Sequence, residues 1–548
     1  MGKSEIFQNN LAALAVCNPL LAKRLSEVNE INNRYSFNNA RSGEIIPFLN
    51  NRPLHSTIDP LRESQRLIET FACDSPFLIF LGLGAGFTQS AALRHGASKI
   101  LVIDFGLSGI TELMRENDYS ILFYDSRFTL MVDPSSGDIY NFILHQYYPS
   151  LSGGIKTIPL RARIEADPSL FDSAASAVNK AVDSIASDYS VQAQFGCRWF
   201  SNIIRNMLTA DCDFKPFQKA IIEKTAIVAA GPSLDIQLHE LQEFKIQGGF
   251  IMAADTALPA LLRSGIRPDA VVSIDCQHIS YYHFLDCDIK DIPLLLDMGS
   301  PPVITRLTRK KFFFCGGHPL AVYIKQHWRD FPIIDTSGAN VTYACLSIAE
   351  NMGARHITLF GADFSYIGSR TYARGTYIYR YFEKKQNRLY PLEALHSVFL
   401  YRNPFLKTEK KQKYRETASL RFYRQKLEDK VSCMNIHVIS AKGEGAPVKL
   451  DRKNIVNTAN NIPFAYNTGN TCAVDFLVQY KNKIAALPEK KIKNGSFLEL
   501  NDEERQILFT LLPGTAAIKH RNPSFKLAQI INETKKFHIT AIDKIISR

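Results

Sequence analysis

The residues best placed to do chemistry in this chain stand where apolar runs stop. Residues 225–235 read TAIVAAGPSLD, a buried strand that ends in Gly231, Pro232 and Ser233 and opens a helix. Amides at a helix start carry partial positive charge and point outward. Gly231 permits close approach of a ligand, Pro232 suits the first helical turn, and Ser233 adds a hydroxyl. The turn is a candidate cradle for a nucleotide phosphate, or an ordinary helix cap. It is not a P-loop, because G-x-x-x-x-G-K-[ST] is absent, which argues against an ordinary ATPase. The same logic singles out Asp255, Asp275, Ser337-Gly338 and Gly361-Ala362-Asp363, each at the end of another apolar run. In an open α/β sheet, ligands bind beyond the carboxyl ends of the strands.

The elements that must position these residues follow from pattern. Residues 220–455 alternate apolar runs (AIVAAG, GFIMAAD, AVVSID, PLLLDMG, KFFFCGG, FPIID, HITLFGAD, NIHVISAKG) with helical stretches. The clearest helix is ANVTYACLSIAENMG, with Val341, Cys345, Ile348 and Met352 on one face and Gly353 at its end. This predicts a doubly wound α/β domain. Residues 1–165 show strand–helix–strand alternation around FLIFLGLGAGF, SKILVIDFG and FTLMVDPSSG, with a helix from Thr88 to Gly96, and predict a Rossmann-like domain. Its Gly82, Gly84 and Gly86, followed about twenty residues on by Asp104, look like the S-adenosylmethionine-binding turn of methyltransferases, or like a Rossmann-like domain that packs and binds nothing. Ala174, Val178, Val182, Ile185, Trp199, Ile203 and Met207 predict a helical connector over 166–219, and 456–548 reads as a helical domain with a basic surface.

Bulk properties bound the answer. Net charge is +12 and the pI about 9.1, so acidic partners are expected: nucleotides, anionic sugars, nucleic acid or an anionic membrane face. Ten scattered cysteines include no C-x-x-C pair, which disfavours a zinc ribbon or a thioredoxin-like motif. The start, MGKSEIFQNN, lacks the apolar core of a signal peptide, and the most apolar run is too short and glycine-rich to span a bilayer. A cytoplasmic protein with reduced thiols and no membrane span is expected.

The strings AAGPSLD, AADTALPALLRSGIRPDAVVSID and TSGANVTYACLSIAENMGARHITLFGADFSYIGSRTYARGT, in this order, resemble the motility-associated-factor (Maf) family of flagellin glycosyltransferases. The likeness implies a degenerate Rossmann-like N-terminal domain, a helical C-terminal region, and a central domain similar to bacterial sialyltransferases and to 6-hydroxymethylpterin diphosphokinase. It further implies a CMP-activated, sialic-acid-like (nonulosonic) sugar donor, flagellin as acceptor, and a role in flagellum assembly and motility. By this resemblance Gly231, Pro232 and Ser233 hold the nucleotide, and Ser337 and Gly338 form a second nucleotide-contacting turn. Asp363, at the end of its own apolar run, is counted with the nucleotide-binding residues on its position alone. Tyr372 donates to the leaving phosphate, with Tyr366 as its partner. Ala230, Asp255 and Asp275 stand where the sialyltransferases carry asparagines. The two acids would repel a phosphate unless they contact ribose or bind a cation; they could hold Mg²⁺, or Asp255 could cap the helix TALPALLRSG.

Transfer also needs a base for the acceptor hydroxyl, and histidine titrates near working pH. Among thirteen histidines, His396 in YPLEALHSVFLYRN lies where the sialyltransferases carry their catalytic histidine, and His318 in FFFCGGHPL lies at a strand end. His396 is the preferred base; either could instead be solvated or capping. Residues 374–415 hold eleven Lys and Arg against three Glu, interleaved with tyrosines. Such a segment could stack single-stranded nucleic acid, close over an anionic nucleotide sugar, or be a merely solvated basic loop. A lid is expected, and nucleic acid is not. A bulky residue at Gly231 is expected to block the nucleotide and leave the fold largely intact. The competing readings are a non-catalytic flagellin-binding assembly factor and a pterin pyrophosphoryl transferase.

Overall fold

Short apolar runs become strands and the glycines between them become turns. The computed structural model describes residues 3–30, 32–71, 76–212, 222–368, 370–402, 414–450, 471–492 and 497–547. They fall into two units, one of Met1–Gly196 with Lys483–Phe537, the other of Cys197–Asn482 with His538–Arg548. The fold is mixed α/β, with parallel sheets and many helices.

The first unit begins with helices Lys3–Cys17 and Pro19–Ser26 and an antiparallel meander of β1 (Tyr35–Asn39), β2 (Ile45–Leu49) and β3 (Arg52–Pro53). A four-stranded parallel sheet follows: β4 (Phe77–Leu81), β5 (Lys99–Asp104), β6 (Phe128–Val132) and β7 (Ile155–Pro159), in spatial order β6-β5-β4-β7. All of β4 is buried, as a parallel strand covered on both faces requires. Its residues alternate between two cores. Leu78 and Phe80 join Leu14, Leu25, Ile110 and Leu113. Phe77, Ile79 and Leu81 join Ile139, Ile143, Phe171 and Val178. The predicted helix is found at Phe87–His95, closed by Gly96 in the left-handed region. The expected helical stretch after residue 166 is one continuous helix, Pro168–Cys212. Near its middle, a Cβ on Gly196 would lie 1.8 Å from the Pro513 carbonyl oxygen, so this glycine lets helix Asp502–Arg521 cross at backbone contact.

The second unit carries seven parallel strands: β8 (Lys224–Val228), β9 (Phe250–Ala254), β10 (Ala270–Ser273), β11 (Leu294–Asp297), β12 (Lys311–Phe314), β13 (His356–Phe360) and, last in the chain, β16 (His437–Ser440). The spatial order is β12-β11-β10-β9-β8-β13-β16. Successive strands add outward from β8 as far as β12, and the chain then returns to pair β13 on the other side of β8. The switch in winding therefore lies between β8 and β13, where an open α/β sheet leaves a crevice at its carboxyl edge. A small antiparallel ladder of β14 (Tyr366–Ile367) and β15 (Tyr414–Arg415) stands apart from the sheet. The run FPIID, expected as a strand, makes only a single bridge, Cys315 to Ile333. Pro332 has no N–H to give, and Asp335 already opens the next turn. Helix Val341–Asn351 buries Ala344, Cys345, Leu346, Ile348 and Ala349 against the sheet, and Gly353 follows at φ 80°.

Candidate active site

The Gly231-Pro232-Ser233 turn follows β8, and Gly361-Ala362-Asp363 follows β13, so the two face each other across the switch point. Their contact is not the one the sequence suggests. The Gly231 amide donates to the Gly361 carbonyl at 2.8 Å, and the Ser233 amide donates to Asp363 Oδ2 at 2.8 Å. The amides of Leu234, Asp235 and Ile236 donate to the carbonyls of Gly231, Pro232 and Ser233. Pro232 has no amide hydrogen. The anion seated at this helix start is thus the protein's own Asp363 carboxylate, whose pKa burial raises while the Ser233 bonds hold it down. The loop after β16 seals the turn. Glu444 N donates to Ser233 Oγ at 3.0 Å, and a Cβ on Gly445 would lie 2.6 Å from the Asp363 side chain. A Cβ on Gly231 would lie 2.4 Å from both Asp363 Oδ2 and the Gly361 oxygen. The expectation that a bulky residue at Gly231 spares the fold is therefore corrected. This glycine is required by the approach of two protein turns.

The next residues along the chain build the site outward. Asp235, in the first turn of helix Leu234–Ile246, accepts from Arg370 Nη1 at 3.1 Å and from the Arg374 amide at 2.8 Å. The Ala373 amide donates to the Ala230 carbonyl at 2.8 Å. These three bonds lay residues 370–374 across the end of β8 and fix Tyr372 there. Burial pushes the Tyr372 hydroxyl far above its ordinary range, helped by Tyr377, Tyr366 and Asp255 nearby. It is a proton-bearing donor at any working pH. Tyr366 sits in β14, and burial with Tyr423 nearby raises it too.

Asp255, at the end of β9, is only 2 % exposed. Its Oδ1 accepts from the Thr256 amide at 2.7 Å and its Oδ2 from Ser273 Oγ at 2.7 Å. Burial raises its pKa, and His283 opposes that rise. Asp275 Oδ1 accepts from the Gln277 amide at 2.8 Å. Among the described residues no three His, Cys, Asp or Glu side chains gather as a metal centre. With each Asp255 oxygen already facing a donor, this pair suits hydrogen bonding to a polar ligand better than holding Mg²⁺. Further along the edge, Asp297 accepts from the Gly299 and Gly316 amides, and burial lifts it to about 6.

Ser337 and Gly338 lie in the turn before helix Val341–Asn351, joined to Asp335 and Tyr343. The Ser337 amide donates to Asp335 Oδ1, and Tyr343 Oη donates to Asp335 Oδ2 at 2.6 Å. A Cβ on Gly338 would overlap the Tyr343 ring at 2.2 Å, so the glycine makes room for that ring.

The two histidines chosen from sequence are both occupied with packing. His318 Nδ1 accepts from the Leu320 amide and caps helix Pro319–His327, the ring lies against Trp199, and burial pulls it down to about 3. His396 lies in helix Leu392–Tyr401, 3 % exposed, its ring 4.4 Å from Tyr379 and 4.8 Å from Phe382. Both its ring nitrogens are buried without a hydrogen-bond partner, and burial lowers its pKa. Tyr372 packs against the same Tyr379–Phe382 cluster, so His396 is near the site but enclosed behind it. The basic segment folds as helices Tyr377–Glu383 and Leu392–Tyr401; its residues 403–413 lie outside the described residues.

Three residues escaped the sequence reading. His283, Gly443 and Gly445 carry no periodic signal; the two glycines, whose Cβ atoms would meet Ser233 and Asp363, could have been flagged by their place just past β16, and His283 by nothing in the sequence. His283 lies a few residues beyond Asp275 in the short helical turn His278–Phe284.

The N-terminal glycine turn is filled by its own unit. His55 Nε2 accepts from the Ala85 amide at 2.8 Å. Asp104 accepts from the Leu83 and Phe105 amides and pairs with Arg163 at 2.9 Å, both side chains fully buried. Cβ atoms on Gly82, Gly84 and Gly86 would meet Arg163, His55 and Leu122 respectively at 3.0 Å or less.

Comparison with known proteins bears on all of this. Residues 198–369 match the family model "6-hydroxymethylpterin diphosphokinase MptE-like". Two uncharacterized proteins of Treponema pallidum (strain Nichols) are similar in part, one 40% identical over 92 residues and one 36% identical over 105 residues. These alignments take up 17% and 19% of this chain, and 32% and 49% of the relatives. The chain thus spans about a third and about half of the curated relatives it matches. The structure of the Maf glycosyltransferase from Magnetospirillum magneticum AMB-1 superposes with a TM-score of 0.63 at 12% identity, over 99% of this chain and 96% of that one. No described helix is long and apolar enough to cross a membrane. From end to end, the chain has the fold of a Maf glycosyltransferase, built around an MptE-like central segment.

Proposed function

We propose that the protein is a glycosyltransferase that moves a nonulosonic sugar from a CMP-activated donor to serine or threonine hydroxyls of flagellin in the cytoplasm, in support of flagellum assembly. The observation that carries this reading is Tyr372, a protonated hydroxyl fixed at the end of β8 beside the switch point and within electrostatic reach of Asp255, within a chain that shares the Maf fold over 99% of its length. In the reaction the bond from the anomeric carbon to the phosphate oxygen breaks, and CMP leaves with the electron pair. The acceptor oxygen bonds to the anomeric carbon and loses its proton to a base. Negative charge grows on the phosphate, where hydroxyl donors held in a water-poor site stabilise it. Tyr372 would serve as such a donor, with Tyr366 as its partner. The buried Asp255 carboxylate, held by Thr256 and Ser273, suits a ribose hydroxyl or the developing positive charge at the anomeric carbon.

Intact mass of flagellin co-expressed with the chain and with the enzymes that make a CMP-nonulosonic acid tests the reading. A mass increase of one sugar per modified site is expected. Flagellin that binds the protein but keeps its mass would favour the assembly-factor reading instead. The MptE-like match over 198–369 supports a second reading, pyrophosphoryl transfer from ATP to a hydroxymethylpterin. AMP release that depends on the pterin alcohol would establish it.

A further inference from the structure

The unassigned group with the best placement is His283. The short helical turn Asp255–Ala257 packs on the turn His278–Phe284, which brings His283 beside Asp255 at the carboxyl edge of β9 and β10. The residue is 8 % exposed, and its ring stands edge-on to Tyr377 at 4.7 Å. Nδ1 is buried with no hydrogen-bond partner among the described residues. An orphaned buried ring nitrogen is costly and asks for a partner that a ligand could provide. The electrostatic neighbours agree: Asp255 feels His283, and Tyr372 feels both Asp255 and Tyr377. His283, Asp255, Tyr372 and Tyr377 therefore form one cluster. His396, orphaned at both ring nitrogens, and His318, orphaned at Nε2, are enclosed by aromatic packing and by a helix cap instead.

We infer that His283 is the base that takes the acceptor hydroxyl's proton, with Asp255 steadying the imidazolium that results. The proton passes from the acceptor oxygen to a ring nitrogen as that oxygen bonds to the anomeric carbon, and CMP leaves with the electrons of the broken bond. Both Asp255 oxygens already accept hydrogen bonds, from Thr256 and Ser273, so it acts through the field at His283 rather than by taking the proton itself. This assignment rests on the glycosyl-transfer reading.

The test uses the full chain, CMP-N-acetylneuraminate and unglycosylated flagellin, reading CMP release with and without flagellin. His283→Gln is expected to lower flagellin-dependent release about 10²–10⁴-fold, the usual worth of a positioned base. Flagellin-independent hydrolysis and CMP affinity by calorimetry should change far less. His396→Gln should leave flagellin-dependent release within threefold of the parent. In His283→Ala, added imidazole should restore part of the rate, which a merely structural histidine would not allow. An active parent with an equally active His283→Gln overturns the assignment alone. So does an equal loss of transfer and hydrolysis with no imidazole rescue. A parent that modifies no flagellin, either with this donor or in cells making a nonulosonic acid, overturns the transferase reading and the assignment together.

Discussion

The two parallel sheets of this protein begin alike and end differently. In each, an apolar strand runs into a glycine turn and a helix, the arrangement that holds a nucleotide in many α/β proteins. In the N-terminal unit His55, Arg163 and Asp104 answer the turn's polar groups, and Tyr119 Oη donates to the Gly84 carbonyl. In the central unit the glycine turn is equally closed, by Asp363 and the loop after β16. The difference lies one strand further on. Beyond β9 and β10 stand Asp255, His283 and, laid over from the next segment, Tyr372, and this group includes a buried nitrogen with no partner. A glycine turn marks close approach, by protein as readily as by ligand. An unmatched polar atom alone does not separate the two units, since Gln89 Oε1 is orphaned beside the N-terminal turn as well; the gathering of Asp255, His283 and Tyr372 does.

That comparison can be broken or sharpened by experiment. The largest effect is expected from Gly231→Val, whose side chain would collide with backbone at Gly361. The central unit should fail to fold, read as protease sensitivity and lost circular dichroism. A folded variant that merely loses CMP affinity would restore the turn as a ligand cradle. Tyr372→Phe should lower sugar transfer by roughly 10²–10³ while CMP binding changes little, because the hydroxyl matters most as charge develops. Unchanged turnover would remove Tyr372 from the chemistry.

In the N-terminal unit the expected losses are of stability. Arg163→Met leaves the fully buried Asp104 carboxylate without its cation, a change that costs about 3–5 kcal/mol. Denaturant unfolding should show it, with transfer per folded molecule unaltered. His55 gives a pH signature. Burial pulls it down to about 4 in the folded chain from 6.5. The unfolded chain therefore takes up the proton first, and stability should fall as pH drops from about 6.5 toward 4, by up to ~3 kcal/mol. His318, also lowered by burial, adds to the parent's slope, so His55→Gln should flatten the profile without abolishing it. A slope identical to the parent's would place His55 in solvent. The smallest expected effect is that of S-adenosylmethionine, which should not shift the melting temperature at all. Tight binding would show that the filled turn can open.

Much of this fold is legible in sequence because buried parallel strands are continuous apolar runs with abrupt ends. FLIFL and KILVID read directly as β4 and β5, and AVVS as β10. Strand β7, IKTIP, hides because it is an edge strand with an exposed lysine and a terminal proline. The 35–53 meander hides because YSFNN shows five residues with little alternation. At the site, Asp255 and Asp363 were legible by the rule that strand ends matter. Their partners were not, since Ser273 and Ser233 reach them only through tertiary packing. His396 drew attention by its position after a motif, but position along the chain says nothing about the aromatic rings that enclose it. His283 sits in a short turn whose residues follow neither the helical nor the strand period, so only its neighbours in space reveal it.

One carboxylate carries a consequence of a different kind. Asp235 holds both Arg370 and the Arg374 amide, and the Ala373 amide donates to the Ala230 carbonyl, so the stretch bearing Tyr372 is tied on one side to helix Leu234–Ile246 and the end of β8. Its ring also packs on Tyr379 and Phe382, so a change of side chain in helix Tyr377–Glu383 would reach the hydroxyl from the other side.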